Sequence, residues 1–515
     1  MSKFTPHPHQ SEALTAIRAM DTSSGRIVMP TGSGKTAVEA WVLEEILNQR
    51  VGTLQDRARR LREGKSPSNH EPRLHLVLAP RILLANQLMG EFDQHVAANF
   101  RAIGFHSGTI DTGMTPAEQD RARRHAENQL QRKSYEQIST TSVQVLKEHI
   151  ARGFASDQDV IIVGTYHSCN KLAGLNFDTI ICDESQYCIE KNFYKAVGEL
   201  TARRKLFFTA TEKHTDIREG KAVGRGLNNE EVFGPVVYQV APQRLIEEGF
   251  IVKPRLHVMG ASSASNDDNK VDLIKQVIEI LKVQVEFAKH MPEAKIIIAM
   301  KGGEQVDIIA QNAQLIQDAI PDFDIYTILS DARKGARING GEKVSRNEWL
   351  KEVKSTPRAF IFHYDILSEG YDLHGVTGVV ILRNMYAAKA IQTMGRAMRT
   401  YSIPGLKSEA LVSTVLIDGD NESSNQLATL ISGLRDGDFD INIEKIKFTE
   451  DKQTSGTKKV KENKNVDGTD EDTTPRSKQE LINIFHNIEI NGKLEALEAA
   501  GKDTFEASLE AFFAN

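Results

Sequence analysis

The chain has 515 residues, of which 40% are hydrophobic and 26% charged, and a net charge of -6. Its length implies two to four domains with sizeable cores, and its composition excludes a wholly disordered chain, a collagen-like fibre and a membrane bundle. The mild acidity argues against a passive, charge-driven nucleic-acid binder but leaves room for a protein that grips phosphates in one local groove.

Short apolar runs alternate with amphipathic helical stretches. In chain order the first strand candidates are Arg26–Met29, Leu74–Ala79, Val160–Val163, Thr179–Cys182 and Lys205–Phe208, with helical periodicity over Ala37–Gln49 and Ile82–Phe92. The pattern restarts with Lys295–Ala299, Asp324–Leu329, Ala359–His363, Gly378–Leu382 and Leu411–Ile417, separated by helical stretches such as Val271–Lys289 and Glu304–Ala319. Strands alternating with helices point to parallel sheets with crossover helices. Two α/β domains of similar size are expected, 1–250 and 251–448. Val51–Arg73, rich in Arg with Gly, Pro and Ser, reads as an exposed insertion or long loop, and its Arg57–Arg62 run as a solvated face. Thr449–Lys478 is almost free of apolar residues and reads as a disordered linker. Beyond it, 479–515 has the periodicity of a short helical segment.

Met1–Pro6 lacks the apolar core of a signal peptide, and no apolar stretch reaches the roughly 18–20 residues of a membrane helix. The protein is expected to stay where it is made, in the cytoplasm. Cys169, Cys182 and Cys188 are odd in number and form no Cys-x-x-Cys pair, which argues against a disulfide framework and a zinc ribbon and for buried thiols. The 15 histidines show no metal spacing, and His167 and His363 read as strand-end structure. Trp41, on an amphipathic helix, reads as core. Trp349 sits in a polar helical stretch and its role is open.

The strongest motif is Met29-Pro30-Thr31-Gly32-Ser33-Gly34-Lys35-Thr36, which follows a strand and opens a helix. Gly32 and Gly34 let backbone N–H groups curl around phosphates, Lys35 reaches the β/γ-phosphates and the Thr36 hydroxyl ligates Mg²⁺. Asp183-Glu184 ends the strand Thr179–Cys182. Beside a phosphate loop, an Asp at a strand tip holds Mg²⁺ through water and the adjacent Glu polarises the attacking water. Gln392-Thr393-Met394-Gly395-Arg396-Ala397-Met398-Arg399 places two arginines three apart on one helix face, where they suit a γ-phosphate.

As an ordered set these segments resemble the motor of superfamily 2 helicases. Pro30–Thr36 resembles motif I, Ala79-Pro80-Arg81-Ile82-Leu83 motif Ia, Gly164-Thr165-Tyr166-His167-Ser168 motif Ic, Asp183-Glu184-Ser185-Gln186 motif II, Thr209-Ala210-Thr211 motif III, Leu367–Asp372 motif V and Gln392–Arg399 motif VI. Upstream, His7-Pro8-His9-Gln10 resembles the Arg-Pro-Tyr-Gln element that reads adenine, with Gln10 matched and His7 and His9 replacing Arg and Tyr. Arg-Ile-Leu-Leu in motif Ia, the form of motif VI and Val232-Phe233-Gly234-Pro235 leading to Leu245–Gly249 are closest to the DNA-directed branch: Type I restriction motors, the DNA-opening repair helicase and phage recombination helicases. Gln186 stands where His or Asp is usual; it can still hydrogen-bond to Thr209 or Thr211, so retained activity with altered coupling between motifs II and III is expected. No nuclease-like segment precedes Pro8, so a complete restriction subunit is not expected.

The resemblance implies an α/β architecture of two tandem RecA-like P-loop domains, parallel sheets flanked by helices, with a small helical C-terminal appendage. It implies ATP and Mg²⁺ as cofactors: Gln10, Pro30, Thr31, Gly32, Ser33, Gly34, Lys35, Thr36, Gly370 and Asp372 bind the nucleotide, and Thr36 and Asp183 the metal. Lys35, Asp183, Glu184, Gln392, Arg396 and Arg399 are the catalytic set. Pro80, Arg81, Ser107, Gly108, Thr165 and Ser368 would grip the phosphate backbone of a nucleic acid, DNA ahead of RNA. The implied activity is that of an ATP-dependent DNA helicase or translocase. An RNA-directed helicase and an ATP-gated nucleic-acid clamp are the alternatives, and residues 479–513 are open to a protein partner.

Overall fold

The computed structural model describes residues 5–443 apart from 64–71, 97–99, 107–137, 157, 213, 216, 219–220, 223, 262–269, 330–334, 365–372, 386, 401–405, 418–422, 424–425, 428 and 432–441. Motif V, with Ser368, Gly370 and Asp372, lies outside the described residues, as do Ser107, Gly108, the expected linker 449–478 and the expected helical segment 479–515.

In the first half, strands β1 (Ser24–Val28), β2 (Leu74–Ala79), β3 (Phe100–Phe105), β4 (Ile138–Ser139), β5 (Asp159–Thr165), β6 (Asn176–Cys182), β7 (Thr201–Thr209) and β10 (Val236–Gln239) form one sheet; β8 (Ile217–Arg218) and β9 (Lys221–Ala222) make a separate small hairpin. The sheet order is β10-β1-β7-β6-β2-β5-β3-β4, and its pairs are parallel. Helices α1 (Pro8–Ala19), α2 (Lys35–Arg62), α3 (Ile82–His95), α4 (Val143–Ala155), α5 (Lys191–Glu199), α6 (Glu230–Phe233) and α7 (Pro242–Glu247) connect or flank it.

The second half repeats the plan with β11 (Lys253–Ala261), α8 (Lys270–Phe287), β12 (Ala294–Ala299), α9 (Gly303–Gln311), α10 (Ala313–Ala319), β13 (Asp324–Leu329), β14 (Ala336–Ile338), β15 (Lys343–Val344), α11 (Arg346–Ser355), β16 (Arg358–Tyr364), β17 (Val376–Ile381), α12 (Ala387–Ala397), β18 (Glu409–Ile417) and β19 (Asn442–Ile443). The order is β15-β14-β13-β16-β12-β17-β18-β11-β19. The parallel pairs expected are present, and β14 and β15 add to β13 antiparallel, so this sheet is mixed; six residues separate β13 from β14 and four separate β14 from β15, too few for a crossover helix.

The strands read as unbroken apolar runs because both faces are covered. Alternate residues enter different cores. Leu76, Ile162, Ile180 and Phe207 fill one side of the first sheet, and Ile296, Ile298, Phe360 and Val380 one side of the second. Val77, Ile181, Phe208, Ile297, Ile361 and Val412 belong to a third cluster that runs from one sheet into the other. The two halves therefore share packed apolar surface. Trp41 lies in that shared cluster at 6% exposure, as its helical periodicity implies. All three cysteines are buried; burial pushes the Cys169 thiol up to about 12. No helix among the described residues is long and apolar enough to cross a membrane.

Two local readings are corrected. Residues 51–62 are not a loop but the continuation of α2: Leu, Gln, Arg and Ala are strong helix formers and one Gly costs only about 1 kcal/mol. Arg59 and Arg62 are solvent-facing there. The single helical stretch Glu304–Ala319 is broken at Asn312 into α9 and α10. Gly234, after α6, has φ +72, and a Cβ there would lie 1.9 Å from the Ser24 carbonyl oxygen, so only glycine lets this turn close on β1.

Trp349 of α11 is fully buried, with its ring edge-on to Tyr326 at 5.8 Å. Trp349→Ala is expected to destabilise the second half by about 3–5 kcal/mol, read as a lower denaturation midpoint in urea.

Candidate functional site

The sheet order places the motifs. Parallel strands present their carboxyl ends along one edge, where ligands of such folds bind. Along β1-β7-β6-β2-β5 that edge carries, in turn, the glycine-rich loop, Thr209–Thr211, Asp183-Glu184, Pro80-Arg81 and Thr165. Leu78 pairs with Cys182 and Ala79 with Thr165. Acidic and phosphate-loop residues thus lie on one side, and the proposed backbone-gripping residues Pro80, Arg81 and Thr165 on the other.

Gly32 and Gly34 have φ +89 and +82, the left-handed region that lets successive N–H groups turn inward. A Cβ on Gly34 would meet Gln10 Nε2 at 2.3 Å. Gln10 is buried; its amide donates to the Ser33 carbonyl at 3.0 Å and its oxygen accepts from the His7 N–H at 2.9 Å. His9 Nε2 lies 2.9 Å from the same Ser33 carbonyl. Burial pulls the His9 pKa below its ordinary value, so a neutral ring donating to Ser33 is the favoured form. His7 and His9, which stand where the resembled element has Arg and Tyr, have a structural use: they pack their rings on Phe250 at 4.5 and 4.7 Å.

Lys35, 8% exposed, points at the acidic pair with its Nζ 4.0 Å from Glu184 Oε1 and 3.4 Å from the Met29 carbonyl. Thr36 follows at the start of α2. Asp183 is buried, and its Oδ1 accepts the Glu184 N–H at 2.9 Å. Glu184 has φ 49, a strained conformation for a non-glycine residue that turns its carboxylate back over the edge. Its Oε2 accepts two amides at 3.0 Å: Gln186 Nε2 from its own segment and Gln392 Nε2 from α12 across the cleft. Gln186 Oε1 in turn lies 2.7 Å from the Thr209 hydroxyl, and the Thr211 N–H donates to Thr209 Oγ1 at 3.1 Å. The bond expected of Gln186 is present, and a neutral amide replaces the usual His or Asp.

The second half reaches the loop directly. A Cβ on Gly395 would lie 2.4 Å from Thr31 Cβ, and one on Gly32 would lie 3.4 Å from Arg399 Cγ. Arg396 is buried and Arg399 half-buried in this closed arrangement. Gln10, Pro30, Thr31, Ser33, Lys35, Asp183, Glu184, Gln392 and Arg399 therefore gather around one cleft.

Two residues escaped sequence reasoning. Glu39, one turn after Lys35, is fully buried, and neither carboxyl oxygen receives a hydrogen bond. Burial, then the Asp183 charge, hold its carboxyl well above the ordinary range. An acidic residue at an apolar position of the α2 pattern was the available signal. Tyr166, fully buried, donates its hydroxyl to the Asp183 carbonyl at 2.7 Å and so ties motif Ic to motif II. Among the described residues no group of three or more His, Cys, Asp or Glu is arranged to hold a metal ion.

Burial, then the Glu184 charge, raise the Asp183 carboxyl from 3.8 to about 7, against the pull of Lys35. The folded chain thus holds this proton more tightly than the unfolded chain between those values. The resulting stabilisation is complete below the unfolded value and is lost as pH rises through about 7. In EDTA, Asp183→Asn is expected to melt above the parent at pH 8, with the gap closing toward pH 4; an equal or lower melting temperature at pH 8 would contradict the burial argument. Gly395→Val places a branched side chain on Thr31 and is expected to hold the halves apart, read as a larger radius of gyration in solution scattering and weaker nucleotide binding.

Comparison with known proteins agrees with this geometry. Residues 3–214 match the family model described as the res subunit of Type III restriction enzymes. No curated protein matches the chain. Among solved structures, the ATP-dependent Type ISP restriction-modification enzyme LlaBIII bound to DNA superposes with a TM-score of 0.61 at 13% identity, covering 88% of this chain and 32% of that one. A nuclease-deletion mutant of the Type ISP enzyme LlaGI with a DNA substrate mimic gives 0.53 at 15%, covering 84% and 29%. The DEAD-box helicase Mss116 bound to single-stranded RNA and UDP-BeF gives 0.50 at 15%, covering 86% and 76%. The chain spans about a third of the two restriction-modification enzymes, and at these identities the likeness is one of fold. With five of the motif segments at one sheet edge and a second RecA-like half closed against it, the chain shares the two-domain RecA-like fold of these helicases and restriction enzymes.

Proposed function

We propose that the chain is a nucleic-acid-dependent ATPase, acting as a DNA helicase or translocase. The observation that carries this reading is the hydrogen bond from Gln392 to Glu184 across the cleft. It brings motif VI onto the residue that would activate water, beside Lys35 and a loop shaped for phosphates. Gln10, Pro30, Thr31, Gly32, Ser33 and Gly34 would cradle the nucleotide, and Gly370 and Asp372 are assigned to it by the motif resemblance alone.

Thr36 and Asp183 would hold Mg²⁺, which supplies charge neutralisation at the phosphates when bound. The donor set suits a divalent cation: buried Asp183 and half-buried Glu184 face Lys35, and burial and the Glu184 charge raise the Asp183 carboxyl to about 7, a cost that added positive charge would offset. In hydrolysis Glu184 accepts the proton of the attacking water, while Lys35, Arg396 and Arg399 stabilise the charge on the transferring phosphoryl group. Loss of the γ-phosphate removes what the arginines bind. The cleft then opens, and the two halves change their separation along the strand held by Pro80, Arg81, Ser107, Gly108, Thr165 and Ser368. The Tyr166–Asp183 bond gives that grip a direct route to the metal-binding aspartate. The match of residues 3–214 to a restriction-subunit model supports DNA ahead of RNA.

The test is ATP hydrolysis without nucleic acid and with single-stranded DNA, duplex DNA, branched DNA and RNA. DNA should stimulate turnover, and Lys35→Ala should lower kcat at least ~100-fold. Stimulation by RNA alone would move the protein to the RNA-directed branch. Nucleic-acid binding with no hydrolysis under any condition would make it an ATP-gated clamp.

A further inference from the structure

Lys407 belongs to none of the motifs, yet it is buried at 4% exposure just before β18. Its Nζ donates to three backbone carbonyls: Val376 at 2.7 Å, Arg399 at 3.0 Å, and Ala397. Three acceptors match the three N–H of an ammonium. A lysine this buried is uncommon and costly; burial, then the nearby Arg399 charge, press its pKa down to about 7.

The position explains the expense. Helix α12 ends at Ala397, and its last carbonyls have no partners within the helix and carry the negative end of its dipole. Here that end is buried, so the groups need a donor. The ammonium supplies it, and through Val376 it pins the helix end to the start of β17.

The same stretch is held from a second side. Arg399 forms an antiparallel bridge with Ile251, and the Val252 N–H donates to the Met398 carbonyl at 2.7 Å. The Arg399 backbone is thus clamped between Lys407 and the segment joining the two halves, while its side-chain stem lies against Gly32 of the phosphate loop.

We propose that Lys407 is a positioning residue for Arg399: its three carbonyl bonds fix the end of the motif VI helix so that the arginine starts from a set origin above the phosphate loop. An arginine that contributes mainly in the transition state affects kcat more than ground-state binding. Loss of the anchor should have the same signature.

This inference rests on the ATPase reading, and the experiment separates the two. Steady-state hydrolysis is measured on the full chain with saturating DNA for the parent, Lys407→Met, Lys407→Gln, Arg399→Ala and the double variant Lys407→Met/Arg399→Ala, each checked by thermal melting. Lys407→Met is expected to lower kcat roughly 10–100-fold with KM for ATP within about threefold, and the double variant to be no slower than Arg399→Ala alone. Lys407→Gln keeps two N–H donors for the carbonyls and carries the test if Lys407→Met does not melt cooperatively; its kcat is expected to fall by a smaller factor, again with KM little changed. A folded Lys407 variant with parental kcat overturns the proposal, and so does a double variant whose losses multiply, since that marks a general structural cap. A parent that binds nucleic acid without hydrolysing ATP overturns the ATPase reading itself.

Discussion

Too much negative charge around one lysine is the constraint from which the rest of the site follows. Asp183, Glu184 and Glu39 crowd the end of β6 and the first turn of α2, all at 14% exposure or less, and Lys35 is the cation that faces them. Buried carboxylates without matching charge are expensive. The chain answers with protons and amides. Burial and the Asp183 charge push the Glu39 carboxyl well above the ordinary range, toward its neutral form. Gln186 and Gln392 offer N–H groups to Glu184 without adding charge. That choice gives Gln186 a physical role in place of an acid or histidine: another acid would deepen the imbalance, whereas an amide can donate to Glu184 and accept from Thr209 at once. An unsatisfied pocket of this kind is poised for cationic groups from outside, and instability of the empty site is the counterpart of affinity for what fills it.

The parts of the fold that were readable in the sequence are those whose environment is uniform. Val160–Val163, Thr179–Cys182, Lys295–Ala299 and Gly378–Leu382 read as strands because both sheet faces are buried, so every position along them is apolar or nearly so. β3, β11, β14 and β15 were not marked. Glycine and arginine interrupt Phe100–Phe105, while Pro254, Arg255, His257 and Gly260 break the pattern of β11. β14 and β15 are three and two residues long. The extension of α2 through Arg62 was hidden by composition, since arginine and a lone glycine resemble a loop to the eye but not to the helix backbone.

The site divides in the same way. Gly32, Gly34, Lys35, Asp183 and Glu184 were legible because their work is local: positive φ, a helix start, a strand tip. Glu39, Tyr166 and Lys407 were not, because each acts on a partner that only tertiary folding supplies. Tyr166 reaches the Asp183 carbonyl and Lys407 reaches Val376, 17 and 31 residues away. Only Glu39 left a trace in the periodicity, as an acid at an apolar position of α2; for Tyr166 and Lys407 no periodicity encodes such a pairing.

One continuous path joins the His7–Gln10 segment to Arg399. His7 packs tilted and His9 edge-on against Phe250. The next two residues, Ile251 and Val252, bond to Arg399 and Met398. The segment that links the halves is therefore not a passive tether: one end packs against the rings that flank Gln10, and the other pairs with the backbone of motif VI. Gln10 and His9 both hold the Ser33 carbonyl, so displacement of either by a purine edge would bear on the phosphate loop and, through Phe250, on the linking segment. The halves also share a hydrophobic cluster, and packed interfaces of this kind tend to switch between discrete arrangements rather than deform smoothly. A nucleotide that fills the base site, the loop and the arginine site together would hold all three contacts in one arrangement, and its hydrolysis would release them together. Coupling of that kind needs no long-range pathway beyond these few residues, because the linking segment is itself part of both sites.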